Sequence, residues 1–306
     1  MGKTAFIFSG QGAQYIGMGK ALYETSAAAR AVFDMADSAR PGTTAQCFDG
    51  DPAALTRTEN TQPCLFCVDL AAAAALREAG VEPQLLAGFS LGEIAALAFS
   101  GTVTYEAGFR MVCRRAARMQ KASDEAPASM VAVLKLDDET VVSLCQAFDK
   151  VYPVNFNSPG QVVVSGDVDA LEGFKALVKE KGGKAMPLKV GGGFHSPFMA
   201  PAADAFLTDL EEFVVTPPSL MLFSNVTARP YEDDFKALLS QQIKSPVRWR
   251  ETVENMISEG ADTFIEVGPG KVLSGLVARI SDSVRVFNVE DAESLQKTVA
   301  EVSAHA

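Results

Sequence analysis

The stretch Gly88-Phe89-Ser90-Leu91-Gly92 constrains this chain more than any other. It fits the pattern G-x-S-x-G, and it sits between a strand-like run and a helix-like run. Leu85-Leu86-Ala87 reads as a short apolar strand, and Glu93-Ile94-Ala95-Ala96-Leu97-Ala98 as a good helix former, so Ser90 is expected on the sharp turn between them. The flanking glycines leave room for such a turn. A helix that begins just after the serine also aims backbone N–H groups at its hydroxyl, where an anionic tetrahedral intermediate would form. The pattern points to Ser90 as a covalent nucleophile.

A serine hydroxyl needs a base near neutral pH. The chain has two histidines, and His305 lies next to the end, in a tail expected to fray, which leaves His195 as the imidazole base. His195 belongs to Gly191-Gly192-Gly193-Phe194-His195-Ser196-Pro197, which reads as a loop at the end of a strand. A lone histidine can be structural; the presence of the elbow favours the base.

The order of patterns supplies the fold class. Thr4 to Ser9 reads as a first strand, followed by the loop Gly10-Gln11-Gly12-Ala13-Gln14. Helical patterns cover about 17–39 and 62–79, the strand and elbow fill 84–92, and a longer helix covers about 104–122. This alternation predicts an α/β domain with a mostly parallel sheet. From about 127 to 190 the rhythm changes to β-α-β-β-α-β, a ferredoxin-like unit. It is expected to be an insertion, so that 1–126 and 191–306 form one catalytic domain, 127–190 a smaller one, and the cleft between them the active site. Beyond His195, helices are predicted near 199–213, 233–243, 249–259 and 271–280, with strands at 220–223, 263–267 and 284–289.

With 306 residues, 48% of them hydrophobic, the chain can bury the core such a fold needs. A formal net charge of −11 argues against nonspecific binding to nucleic acid or anionic membrane. No signal peptide or membrane-spanning run is evident, so a soluble cytoplasmic protein is expected. Five cysteines, an odd number, suggest reduced thiols, and the lone pair Cys64-Leu65-Phe66-Cys67 reads as buried thiols in a helix. Gly10-x-Gly12 lacks the third glycine of a dinucleotide loop, Gly270-Lys271 lacks the rest of a P-loop, and no metal motif occurs, so neither cofactor nor metal is expected.

Nearly the whole chain resembles the malonyl-CoA:acyl-carrier-protein transacylases of fatty acid synthesis and the acyltransferases of polyketide synthases. The motifs that carry the resemblance are Phe8-Ser9-Gly10-Gln11-Gly12-Ala13-Gln14, Thr61-Gln62-Pro63, Gly88 to Glu93, Arg115 with Met119-Gln120, Asn155 to Gln161, Phe194 to Pro197, Ser224-Asn225-Val226-Thr227 and Glu266 to Lys271. The resemblance implies an α/β-hydrolase-like domain carrying a ferredoxin-like insertion. It also implies a ping-pong transfer of a malonyl group from malonyl-CoA, through Ser90, to the pantetheine thiol of acyl carrier protein. His195 would be base and then acid, and the backbone N–H groups of Gln11 and Leu91 would form the oxyanion hole.

Arg115 is implied to grip the malonyl carboxylate, since a planar guanidinium can make two parallel charge-assisted hydrogen bonds. Read without the resemblance, Arg114, Arg115, Arg118 and Lys121 form an exposed basic helix face, and Arg114 is the alternative if the register slips by one. Phe194 is implied to favour malonyl over a branched acyl group. Asn157 either lines the cleft or serves the turn before Pro159-Gly160. The chain departs from the family at Phe89, where histidine is usual. No acidic residue stands out as a third triad member, and the backbone carbonyl of Arg248 is implied to orient His195.

The carrier is acidic, so Lys179, Lys181, Lys184, Lys189, Arg248, Arg250 and Lys271 are candidates for a local basic surface. A monomer is expected. Three other readings share these residues: a polyketide acyltransferase acting in trans, a serine esterase that would not need Arg115, and a noncatalytic scaffold that binds carrier protein.

Overall fold

The computed structural model describes residues 2–304, and His305 lies outside the described residues. The strands are Lys3–Phe8 (β1), Leu85–Gly88 (β2), Ala128–Leu134 (β3), Val151–Ser158 (β4), Gln161–Asp167 (β5), Lys184–Pro187 (β6), Met221–Leu222 (β7), Ala261–Val267 (β8) and Arg285–Val289 (β9). They form two sheets. One is five-stranded in the order β7-β2-β1-β8-β9, and all its pairings are parallel. The other is four-stranded in the order β4-β5-β3-β6, with antiparallel pairings throughout.

The parallel sheet is buried on both faces, and the alternation of β1 shows how. Phe6 and Phe8 point into a core shared with the helices Thr58–Glu78, Gly92–Phe99 and Tyr105–Glu125, whereas Ala5 and Ile7 point to the opposite layer with Trp249, Val253, Met256 and Leu276. Successive side chains of a strand face opposite sides, so apolar residues at every position require cover on both. The antiparallel sheet packs one face on the helices Asp138–Cys145 and Val168–Glu180 around Phe174 and Val164.

Helix boundaries depart from expectation in ways that local chemistry explains. The pattern over 17–39 is two helices, Lys20–Thr25 and Ala27–Ala39, because the Ser26 hydroxyl accepts a hydrogen bond from the Ala29 N–H and caps the second. The helix expected from 62 starts at Thr58 and carries Pro63 inside it. The N–H that Pro63 lacks would have bonded the carbonyl of Glu59, which is partly exposed at the helix start, so the loss there is small. The short helices Thr43–Asp49 and Pro52–Leu55 were not expected; the second has an Asp51 cap and proline at its start.

One backbone segment ties β4 to the apolar layer on one face of the parallel sheet, where the Val247 side chain packs. The Val247 N–H donates to the carbonyl of Val154 at 2.8 Å, and the Phe156 N–H donates to the carbonyl of Val247 at 3.0 Å, so Val247 lies beside β4 like a further strand. No helix among the described residues is long and apolar enough to cross a membrane. Cys64 and Cys67 are buried free thiols in the helix Thr58–Glu78.

Candidate active site

Ser90 stands on the turn between β2 and the helix Gly92–Phe99 with φ of 56°, in the left-handed region that a non-glycine residue occupies only under constraint. The turn is tight enough that a Cβ on Gly88 would collide with the backbone of Gly92, and one on Gly92 with the carbonyl groups of Phe8 and Ser9. Glycine at both positions is therefore a steric requirement. The Ser90 N–H is held by Asn225 Oδ1 at 2.8 Å, and Asn225 Nδ2 donates to the Gly88 carbonyl at 2.7 Å. Asn225 thus clamps both sides of the elbow.

His195 also has a left-handed backbone, with φ of 60°, and is buried. Its Nε2 lies 2.8 Å from Ser90 Oγ, and its Nδ1 lies 2.8 Å from the backbone carbonyl of Gln242. A carbonyl only accepts, so Nδ1 carries the proton and Nε2 is the acceptor for the serine hydroxyl. Burial, reinforced by the Arg115 charge, lowers the imidazole to about 4 and keeps it neutral at physiological pH. A neutral imidazole facing a hydroxyl is a general base in waiting.

The carbonyl that meets His195 corrects the expectation of Arg248. The Arg248 carbonyl accepts from the Thr252 N–H at 2.9 Å and from Thr252 Oγ1 at 2.8 Å, as the first acceptor of the helix Trp249–Ser258. It is committed to starting that helix, and the carbonyl of Gln242 takes the place beside the histidine.

Arg115 is wholly buried, so the reading of its helix as an exposed basic face fails at this residue. Its Nη1 donates to Gln62 Oε1 at 2.7 Å; its Nη2 donates to Gln242 Oε1 at 2.7 Å and to Ser90 Oγ at 3.0 Å. Burial lowers the guanidinium to about 10, opposed by the Glu93 charge, and it remains a cation at neutral pH. Arg114 points elsewhere, pairing with Asp209 and Glu212.

Gln11 and Phe89 on one side face Asn155, Asn157 and Gln161 on the other across a cavity of about 200 Å³ between the two sheets. The Asn157 side chain is buried, and its Oδ1 has no partner among the described residues. Gln11 Nε2 reaches Thr58 Oγ1 at 3.3 Å, which orders the loop after β1. Among the described residues the N–H groups of Gln11 and Leu91 donate no hydrogen bond. Phe194 is buried in the loop just before His195. Phe89 packs edge-on against Trp249, with ring centroids 5.4 Å apart. A larger groove of about 590 Å³ lies beside Pro246, but its Arg248 and Arg250 are already paired with Glu251, Asp138 and Glu254.

The sequence reading missed Gln242, and it quoted Gln62, Asn225 and Glu93 only within family motifs, with no role at the site. The one local signal for Gln242 is its place in the helix Phe235–Lys244, where a polar residue shares the apolar stripe of Leu239 and Ile243.

The acyl transferase domain family matches residues 5–306. A malonyl CoA-acyl carrier protein transacylase of Bacillus subtilis (strain 168) is 39% identical over 98% of this chain and 97% of its own length. The crystal structure of a malonyl CoA-acyl carrier protein transacylase from Clostridium perfringens superposes with a TM-score of 0.96 at 38% identity, covering 99% of this chain and 98% of that one. A malonyl-transacylase solved in complex with its type II PKS acyl-carrier protein gives a TM-score of 0.94 at 33% identity, covering 98% of this chain and 99% of that one. This chain, an acyltransferase, belongs to the acyl transferase domain family alongside the malonyl CoA-acyl carrier protein transacylases.

Proposed function

We propose that the protein moves a malonyl group from malonyl-CoA to the pantetheine thiol of an acyl carrier protein through an ester on Ser90. The observation that carries this reading is the placement of Ser90 Oγ between the neutral His195 Nε2 and the buried Arg115 guanidinium. In a malonyl thioester a single CH2 separates the reacting carbonyl from the free carboxylate. A cation within hydrogen-bond reach of the nucleophile is therefore in range of that carboxylate when the carbonyl is attacked.

The proposed steps use the groups gathered at the site. His195 Nε2 takes the proton as Ser90 Oγ bonds to the thioester carbon, and the N–H groups of Gln11 and Leu91 receive the oxyanion. The tetrahedral adduct collapses, the C–S bond breaks, and the proton passes from His195 to the coenzyme A sulfur. The carrier thiol then gives its proton to His195, attacks the Ser90 ester and releases the serine with that proton returned. Asn157 is assigned to the cleft wall that the pantetheine arm passes, and Phe194 to the wall that limits branching on the acyl group.

For the carrier surface, the exposed Lys179, Lys181, Lys184, Lys189 and Lys271 make no ion pair among the described residues, whereas Arg248 and Arg250 do. We assign docking of the acidic carrier to the lysines. The strand order supports a finer description of the fold, an α/β-hydrolase-like domain over 1–126 and 191–306 interrupted by a ferredoxin-like unit over 127–190.

Intact-protein mass spectrometry after brief mixing with malonyl-CoA or acetyl-CoA tests the reading. A malonyl adduct on the wild type, absent from Ser90→Ala and weak with acetyl-CoA, is expected. No adduct with either donor would favour a hydrolase or a scaffold.

A further inference from the structure

Glu93 follows the elbow directly and is completely buried in the first turn of the helix Gly92–Phe99, yet none of the chemical steps above uses it. A buried carboxyl group is costly unless its oxygens are engaged. Here both are. Oε2 accepts from the Asn225 N–H at 3.0 Å and from Gln242 Nε2 at 2.8 Å, and Oε1 meets the Tyr231 hydroxyl, itself buried and stacked on Phe235.

Two of the residues that meet Glu93, Gln242 and Asn225, are the ones that hold the reacting groups. Gln242 Nε2 also donates to the Ser90 carbonyl at 2.8 Å, Gln242 Oε1 accepts from Arg115, and the Gln242 backbone carbonyl meets His195 Nδ1. Asn225 fixes the Ser90 N–H. An amide can be flipped end for end at little cost to its shape. The Glu93 carboxyl group and the Ser90 carbonyl both accept from the Gln242 nitrogen, and together they hold it on that side and leave its oxygen for Arg115.

We propose that Glu93 is a positioning residue for the transfer reaction: its carboxyl group fixes the Gln242 amide and the Asn225 backbone, and through them aligns Ser90, His195 and Arg115. This rests on the malonyl-transfer reading above. Burial raises the Glu93 carboxyl to about 7, which is consistent with a role in hydrogen bonding and not in carrying a permanent charge.

The test compares full-length wild type, Glu93→Gln, Glu93→Ala, Gln242→Met and the double variant Glu93→Ala/Gln242→Met. Each is assayed for malonyl transfer from malonyl-CoA to a carrier protein, with folding checked by circular dichroism and melting. Glu93→Gln keeps an oxygen for Asn225 and Gln242 and an NH2 for the Tyr231 oxygen, so its kcat stays within about threefold of wild type. Misaligned reacting groups lower kcat about 10- to 100-fold in Glu93→Ala and in Gln242→Met. The double variant loses less than the product of the two single losses, because the Glu93–Gln242 linkage is common to both changes and only the Asn225 contact is left for Glu93→Ala to remove. A folded Glu93→Ala with wild-type kcat, a Glu93→Gln as slow as Glu93→Ala, or additive losses overturns the proposal. If Glu93→Ala does not fold, Gln242→Met at wild-type kcat overturns it instead. A wild type that transfers no malonyl group overturns the function and this proposal together; an active wild type isolates Glu93.

Discussion

At the scale of the residue, Arg115 shows most plainly what a side chain's surroundings add to its type. Arginine is seldom fully buried, and the partners that make it so here, Gln62 and Gln242, lie 53 and 127 positions away along the chain. No local pattern could have announced that pocket; the resemblance of the segment to known acyltransferases singled out Arg115, and burial gives the physical reason. Replacing Arg115 with Ala removes the charge-assisted grip on a carboxylate and should lower kcat/KM for malonyl-CoA by about two orders of magnitude, with less effect on acetyl-CoA. Equal losses for the two donors in a donor-competition assay would count against that role. His195 makes a second prediction. Since its imidazole is lowered to about 4, the kcat/KM profile should stay flat from pH 8 down to about 6 and break only in the more acidic range, not near the ordinary histidine value of about 6.5.

His195 and Glu93 oppose each other in stability. A depressed histidine contributes stability above its unfolded value, and this is lost as pH falls through 6.5 toward 4. The raised Glu93 contributes stability below 4.5, and this is lost as pH rises through 7. Melting of Glu93→Gln across this range should therefore lose the second trend and keep the first.

At the scale of the element, what could be read in advance was whatever short-range chemistry decides. The elbow, β1 and the alternation of strand and helix are local patterns, and they lie where the sequence placed them to within a few residues. The patterns over 17–39 and 62–79 missed two boundaries because a capping hydroxyl, that of Ser26, splits one apolar pattern into two helices, and a helix start tolerates a proline, Pro63, in its second turn. The elbow gives the sharpest test at this scale. A methyl group added by Gly92→Ala meets the carbonyl oxygens of Phe8, the last residue of β1, and of Ser9 just beyond it, both buried and without room to retreat. Thermal or denaturant unfolding should show a loss of about 1–3 kcal/mol or more, together with loss of the acyl-enzyme. Unchanged stability would mean that the turn is looser than the contacts require.

At the scale of the whole molecule, the site is assembled from segments far apart in the chain: the loop after β1, the elbow, the helix Tyr105–Glu125, the glycine-rich loop and the stretch that begins at Gln242. That dispersion explains why Arg248 was the wrong carbonyl. The oxygen that meets the imidazole belongs to the last turn of the helix Phe235–Lys244, six residues before Arg248, and which last-turn carbonyl faces His195 is set by how that helix packs. The stretch has another property. It carries the Gln242 carbonyl at one end, and at Val247 it is laced to β4, the edge of the antiparallel sheet whose Asn155 and Asn157 wall the cleft. The small sheet cannot, then, be treated as an exchangeable cassette. Anyone transplanting residues 128–187 from a relative to retune carrier preference has to bring residues 242–248 along as its seam, or the graft will pull on the histidine.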